Sequence, residues 1–246
     1  MSSKPIISVR RLTKKYGSFT ANDDLNFDVY PGEIFGFLGA NGAGKTTTIR
    51  ILCGLSRPTY GTAYVSGYNV KRSTESLKKR IGYMSQKFSL YDDLTVEENI
   101  QFYGGIYGLG KKELYGRSHE LFDRLDISGI KNQVIRSIPT GWRQKLAFSI
   151  AILHRPDIVF LDEPTGGVDP SARRQFWELI YEAASDGITV FVTTHYMDEA
   201  EYCDRVSIMT EGRIVALDSP DNLKKNYSAM SIEEVFLKLA RNRELI

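Results

Sequence analysis

Apolar residues alternate with polar ones at Ile7, Val9 and Leu12 and again at Leu25, Phe27 and Val29, a period of two that predicts half-buried strands in an N-terminal antiparallel layer. Pro31-Gly32 makes a turn before the next run. Ile34 to Leu38, Ile158 to Leu161 and Thr189 to Thr193 are short apolar runs bounded by turns or helical patterns, as expected of parallel strands buried on both faces. From Thr95 to Leu125 the spacing becomes helical, at Val96, Ile100 and Tyr103 and then at Leu114, Leu121 and Leu125, with breaks at Gly104-Gly105 and at Gly108 to Gly110. Trp142 to Leu153 also reads as helix. Val206 to Met209, Glu211-Gly212 and Ile214 to Leu217 predict a hairpin, and Ser231 to Leu239 a closing amphipathic helix. The order of elements predicts an α/β core carrying an antiparallel β layer and an inserted helical subdomain.

The 246 residues, 42% of them apolar, suit one large domain or a domain with a subdomain. With 32 basic and 30 acidic residues the net charge is only +2, which carries no overall footprint for nucleic acid or a membrane surface. Cys53 and Cys203 lie far apart without metal or redox spacing, pointing to a reduced, cytosolic setting. No segment approaches the roughly 18 apolar residues of a membrane span. Any membrane role is therefore expected of a peripheral subunit.

The chemistry begins where the third apolar run ends. Gly39-Ala40-Asn41-Gly42-Ala43-Gly44-Lys45-Thr46 is a complete phosphate-binding loop between a strand and a helix expected from about Lys45. Gly39, Gly42 and Gly44 let the backbone turn tightly so that successive N–H groups face phosphate oxygens, and the helix N-terminus behind them favours negative charge. Lys45 supplies a point charge to the outer phosphates. The Thr46 hydroxyl is placed to ligate magnesium.

Asp162-Glu163 ends the strand from Ile158, and that end of a parallel sheet faces the ligand crevice. Asp162 is expected to hold magnesium through its water shell and Glu163 to polarise an attacking water as general base. The alternative is a solvated acidic turn before Pro164. His195 follows the strand Thr189 to Thr194, where its imidazole reaches either a γ-phosphate or the attacking water. Gln86 ends the run Ile81 to Ser85, where an amide ligates magnesium or orients water.

In this order, the motifs resemble the nucleotide-binding subunits of ATP-binding cassette (ABC) transporters over nearly the whole length. The resemblance implies the ABC ATPase fold, a P-loop core at 1–90 and 156–225 with a helical subdomain at 91–155 and a C-terminal helix at 226–246. Tyr16, in Lys14-Lys15-Tyr16-Gly17, matches the aromatic that stacks on adenine, the alternative for it alone being a surface aromatic beside a turn. Gly39 to Thr46, with Thr47 after them, match Walker A, and Gln86 matches the glutamine loop. Asp162 and Glu163 match Walker B and the catalytic glutamate, Gly166 to Asp169 match the D-loop, with Asp169 at the nucleotide, and His195 matches the switch histidine. The implied cofactors are ATP and Mg2+. The implied partners are a second cassette, as homodimer or heterodimer, and integral-membrane permease subunits on the cytoplasmic face; no nucleic acid is expected. Phe88, Leu90, Tyr91 and Tyr103 are candidates for the permease groove, although an apolar aromatic set there is more often subdomain core.

The pattern departs at one point. The family's signature is usually Leu-Ser-Gly-Gly, and this chain reads Ile138-Pro139-Thr140-Gly141. Pro139 has neither hydroxyl nor backbone N–H for the opposing γ-phosphate, while the N–H groups of Thr140 and Gly141 remain. A proline is at home in a helix's first turn, so the motif keeps its shape and dipole. Losing one charge-assisted hydrogen bond weakens transition-state stabilisation by about 1.5 to 3 kcal/mol, around tenfold to a hundredfold in rate. The expected function is the ATPase motor of an exporter with separate permease chains. The alternatives are a soluble cassette acting on ribosomes or DNA and a cassette that binds ATP without hydrolysing it.

Overall fold

The computed structural model describes residues 4–87 and 90–241. The chain runs through β1 (Ile7–Tyr16), β2 (Phe19–Val29), β3 (Ile34–Gly39), α1 (Lys45–Leu52), β4 (Tyr60–Val65), β5 (Tyr68–Asn69), α2 (Thr74–Lys78) and β6 (Ile81–Met84). Three helices follow, α3 (Val96–Ile106), α4 (Lys111–Leu125) and α5 (Thr140–Ala151), the last two separated by 3-10 turns at Ser128–Ile130 and Ile135–Ser137. The remainder is β7 (Ile158–Asp162), α6 (Pro170–Ser185), β8 (Thr189–Thr194), a 3-10 segment at Met197–Tyr202, β9 (Arg205–Thr210), β10 (Arg213–Asp218), α7 (Pro220–Asn226) and α8 (Ile232–Arg241).

Two sheets face each other. The antiparallel one has the order β2-β1-β4-β5, so the layer expected from the first two runs gains two strands from beyond α1. The other has the order β10-β9-β3-β8-β7-β6 and is parallel from β9 to β6, with β10 antiparallel at its edge. Every residue of β3, β7 and β8 is buried, which is why these strands read as apolar runs rather than alternating ones. Parallel pairing brings the carboxyl ends of β3, β8, β7 and β6 side by side, the edge where such sheets bind ligands. Leu38 registers with Thr194, and Asp162 with Thr193.

Aromatic rings fill the space between the sheets: Phe27, Phe35, Phe37, Phe160 and Phe191 pack with centroids 5.3 to 6.2 Å apart. On the other face of the parallel sheet, Val159, Val192, Phe148 and Phe176 belong to a cluster that runs on without interruption to Val96, Ile100, Leu121 and Leu125. The helical segment thus shares one core with the sheet. α3 starts with a capping box, Thr95 Oγ1 accepting the Glu98 N–H at 3.1 Å and Glu98 Oε2 accepting the Thr95 N–H at 2.8 Å. The expected break at Gly104-Gly105 does not occur. Both glycines lie inside α3, and the Leu114 side chain of α4 occupies the space a Cβ on Gly104 would need; the helices turn only at 108–110, where Gly108 has φ 75°. α5 starts at Thr140, two residues before the expected Trp142.

Just after α5, His154 stacks on Tyr107 at 3.9 Å between centroids, with Nε2 3.0 Å from the Ile81 carbonyl and Nδ1 buried without a partner among the described residues. Burial pushes its pKa down to about 4, against the hydrogen bond to Ile81, so the folded state holds the ring neutral. The unfolded chain binds this proton below about pH 6.5, the native protein only below about 4, so stability from this site is complete above pH 6.5 and lost as pH falls through that window. The ceiling is about 3 kcal/mol. His154→Gln keeps an amide donor without titrating. Its stability deficit relative to the parent is therefore expected to shrink between pH 7 and pH 4 in urea unfolding.

Candidate active site

The loop between β3 and α1 depends on glycine where its backbone is left-handed. Gly44 has φ 103°, and a Cβ there would collide with the Ala21 carbonyl and the Asn22 amide. Ala43 N–H donates to Ala40 O at 3.1 Å and closes the turn, leaving Ala40, Asn41 and Gly42 exposed at the tip. Lys45 folds back under the loop. Its Nζ donates to the carbonyls of Gly39 at 2.7 Å and Ala40 at 3.1 Å and lies 3.2 Å from Glu163 Oε1, with only 3% of the lysine side chain and 9% of the glutamate exposed.

The end of β7 meets this loop. The hydroxyl of Thr46 donates to Asp162 Oδ1 at 3.1 Å, and that of Thr193 to the same oxygen at 2.8 Å. Burial raises the Asp162 carboxyl above its ordinary pKa, opposed by these two donors. Glu163 sits at φ 49°, a left-handed conformation that costs a branched or long side chain energy and persists only where its surroundings impose it. Thr193 holds it there, its carbonyl and hydroxyl oxygens both accepting the Glu163 N–H at 3.1 Å, and the Glu163 carbonyl accepts the Gly166 N–H at 3.2 Å. The glutamate's Oε2 then accepts Gln86 Nε2 at 3.1 Å and lies 3.2 Å from His195 Nδ1. Three side chains, those of Lys45, Gln86 and His195, converge on one carboxylate.

The other expected site residues stand apart from this cluster. Tyr16 ends β1 half-exposed, with Lys14 Nζ 4.8 Å from its ring centre. Thr47 is half-buried in the first turn of α1. Pro139 is the N-cap of α5 rather than part of its first turn, because its ψ of 146° is extended, and Pro139 and Thr140 are both exposed. Gly141 faces Ala172 of α6. Asp169 caps α6, accepting the N–H groups of Ser171 and Ala172 at 3.0 Å. Of the candidate groove residues, Phe88 lies outside the described residues. Leu90 and Tyr103 pack against the core, while Tyr91 stays half-exposed with its ring edge-on to Phe102 at 4.8 Å.

Thr193 was legible only as a polar neighbour of His195; its place opposite Asp162 is a matter of strand register. Asn22 and Thr48, which hold the loop from behind, gave no signal at all. Thr46 and Asp162 put two hard oxygen donors side by side at the loop. That set suits magnesium, which takes few protein ligands and keeps several waters.

Residues 22–166 match the family described as ABC transporter. Over 219 residues the chain is 47% identical to the probable multidrug ABC transporter ATP-binding protein YbhF of Escherichia coli (strain K12), an alignment covering 89% of this chain and only 38% of that protein. It is 35% identical over 237 residues to the Nod factor export ATP-binding protein I of Ralstonia nicotianae, covering 96% and 74% of the two chains. An ATP-binding subunit of an ABC transporter superposes with a TM-score of 0.86 at 28% identity, over 96% of this chain and 99% of the other. CbiO1 from Clostridium perfringens, part of the ABC transporter complex cbiONQ, gives 0.83 at 26% identity over 99% of both. Among the described residues no helix is long and apolar enough to cross a membrane. The strand-end cluster, the two-sheet fold and these likenesses agree: the chain belongs to the family of ABC transporter ATP-binding proteins.

Proposed function

We propose that the chain binds ATP with magnesium, hydrolyses it and, paired with a second cassette around the nucleotide, drives a separate membrane permease. The observation that carries this reading is the Glu163 carboxylate, gathered to Lys45, Gln86 and His195 beside the phosphate loop. In the reaction a water oxygen bonds to the γ-phosphorus as the bond to the ADP oxygen breaks, and Glu163 accepts the water's proton. His195 and Gln86, both at Oε2, fix the carboxylate's orientation and flank the water. Lys45 has all three of its donor directions engaged by the Gly39, Ala40 and Glu163 oxygens. A phosphate oxygen that takes one of them frees Glu163 for the water. Thr46 and Asp162, with Gln86, would hold a magnesium ion, whose charge offsets that of the phosphate oxygens.

The signature end of α5 supports a two-cassette site. Its N–H groups at Thr140 and Gly141 have no acceptor among the described residues, and no side chain caps the helix. They form an exposed anion-binding edge that fits a γ-phosphate held on another subunit. Relatives named for multidrug transport, Nod factor export and linearmycin resistance favour export as the direction. The place of work is then the cytoplasmic face of a membrane.

The deciding experiment is the magnesium-dependent ATPase rate of the purified chain over a wide range of protein concentration. Specific activity is expected to rise with concentration as dimers form; nucleotide binding without turnover at any concentration would favour the non-hydrolysing cassette instead. Glu163→Gln is expected to keep ATP affinity, lose hydrolysis by at least about a hundredfold and accumulate as an ATP-bound dimer in size-exclusion chromatography. Turnover at the parental rate would remove Glu163 as the base. Lys45→Ala is expected to weaken ATP binding strongly by calorimetry. Pro139→Ser is expected to preserve or raise turnover; a large loss would mean that proline is adapted to the interface.

A further inference from the structure

Two carbonyls on the rear of the phosphate loop are held by groups from elsewhere in the chain. The Ala43 carbonyl accepts the N–H of Gly212, in the turn between β9 and β10, at 3.0 Å. The Gly44 carbonyl accepts Asn22 Nδ2 from β2 at 3.1 Å, together with the N–H of Thr48 at 3.0 Å and its hydroxyl at 3.1 Å. Asn22 Nδ2 also donates to Thr48 Oγ1 at 3.0 Å. The two anchors are themselves joined, since Asp23 N–H donates to Gly212 O at 2.8 Å and the Arg213 Nε to Asp23 Oδ2 at 2.8 Å.

Peptide planarity turns these bonds into orientation. In a trans peptide the C=O and the following N–H point opposite ways. Fixing the carbonyls of Ala43 and Gly44 on the rear therefore fixes the N–H groups of Gly44 and Lys45 on the front, where a loop of this kind meets phosphate. The amide's orientation follows from the chemistry: a backbone carbonyl only accepts, so the nitrogen of Asn22 must face Gly44.

Asn22 is fully buried, and its Oδ1 has no hydrogen-bond partner among the described residues. A buried unsatisfied acceptor is a cost to folding that an apolar side chain of the same size avoids. That cost offsets the two bonds its Nδ2 makes, so stability alone is a weak reason for an asparagine here. We propose that Asn22 is a positioning residue for the nucleotide's phosphates, its amide and the Gly212 turn acting as a rear clamp that presets the loop N–H groups. This rests on the reading of the loop as a nucleotide site.

The test compares the parent with Asn22→Leu, which matches the size without donors, and Asn22→Ala, which cannot clash if the leucine fails to fold. ATP and ADP affinities are measured by calorimetry, thermal midpoints without nucleotide, and amide hydrogen exchange in the peptide spanning 39–48. The expected result is affinity weaker by about fivefold to tenfold, faster loop exchange, and a midpoint for Asn22→Leu no lower than the parent's. Parental affinity in a folded variant, with or without a lower midpoint, overturns the proposal. If the parent itself binds no ATP, the nucleotide reading fails separately, and loop exchange in Asn22→Ala equal to the parent's would still overturn the clamp.

Discussion

An ammonium group can be buried only where acceptors and a counter-charge meet it, and Lys45 imposes that condition on this fold. Its side chain is almost wholly enclosed, so Gly39 and Ala40 must present their carbonyls inward and an acid must stand within reach. The acid is Glu163, two strands away in the sheet order, and the left-handed backbone at that residue is what turns its carboxylate back toward the loop. A buried pair of this kind is weak evidence for stability, because desolvation offsets much of the Coulomb attraction, yet breaking it leaves an uncompensated charge. Its visible effect here is geometric: it ties the loop at the end of β3 to the acidic pair at the end of β7.

The rest of the cluster hangs on that pair through β8, which lies between the two strands. Thr193 grips Asp162 by its hydroxyl and Glu163 by its backbone, and two residues on, His195 emerges beside the same carboxylate. A one-residue slip of β8 would send Thr193 to the opposite face and dissolve the site. The aromatic packing of Phe160 and Phe191 between the sheets, at 5.5 Å, resists such a slip.

These dependencies explain which parts were readable in the sequence. Gly39 to Thr46, Asp162-Glu163 and the apolar runs before them are contiguous, and their chemistry is carried by residue type and local order. His195 and Gln86 were readable as strand-end residues, but their meeting at Oε2 of Glu163 depends on strand order. Asn22 and Thr193 act through partners 22 to 31 positions away, and Thr48 meets Asn22 across 26, on bonds that only tertiary packing creates, so nothing local marks these meetings. The glycines of α3 misled for the complementary reason. Gly104 looks like a helix stop by propensity, and is instead the place where Leu114 of the neighbouring helix comes close.

Pro139 acquires a different meaning once its position is known. A serine at the N-cap of α5 would be well placed to accept an N–H of its own helix, which competes with any bond it makes outward. Proline cannot cap, so the first donors of α5 stay available while the chain loses one hydroxyl. The helix behind them is not isolated: Arg143 Nε donates to the Ile138 carbonyl at 2.9 Å, and the buried Gln144 amide donates to the carbonyl of Pro164, the residue after Glu163. An anion that met the exposed tip of α5 would therefore act on a helix tied to the backbone next to Glu163. Proline at that tip leaves this connection intact.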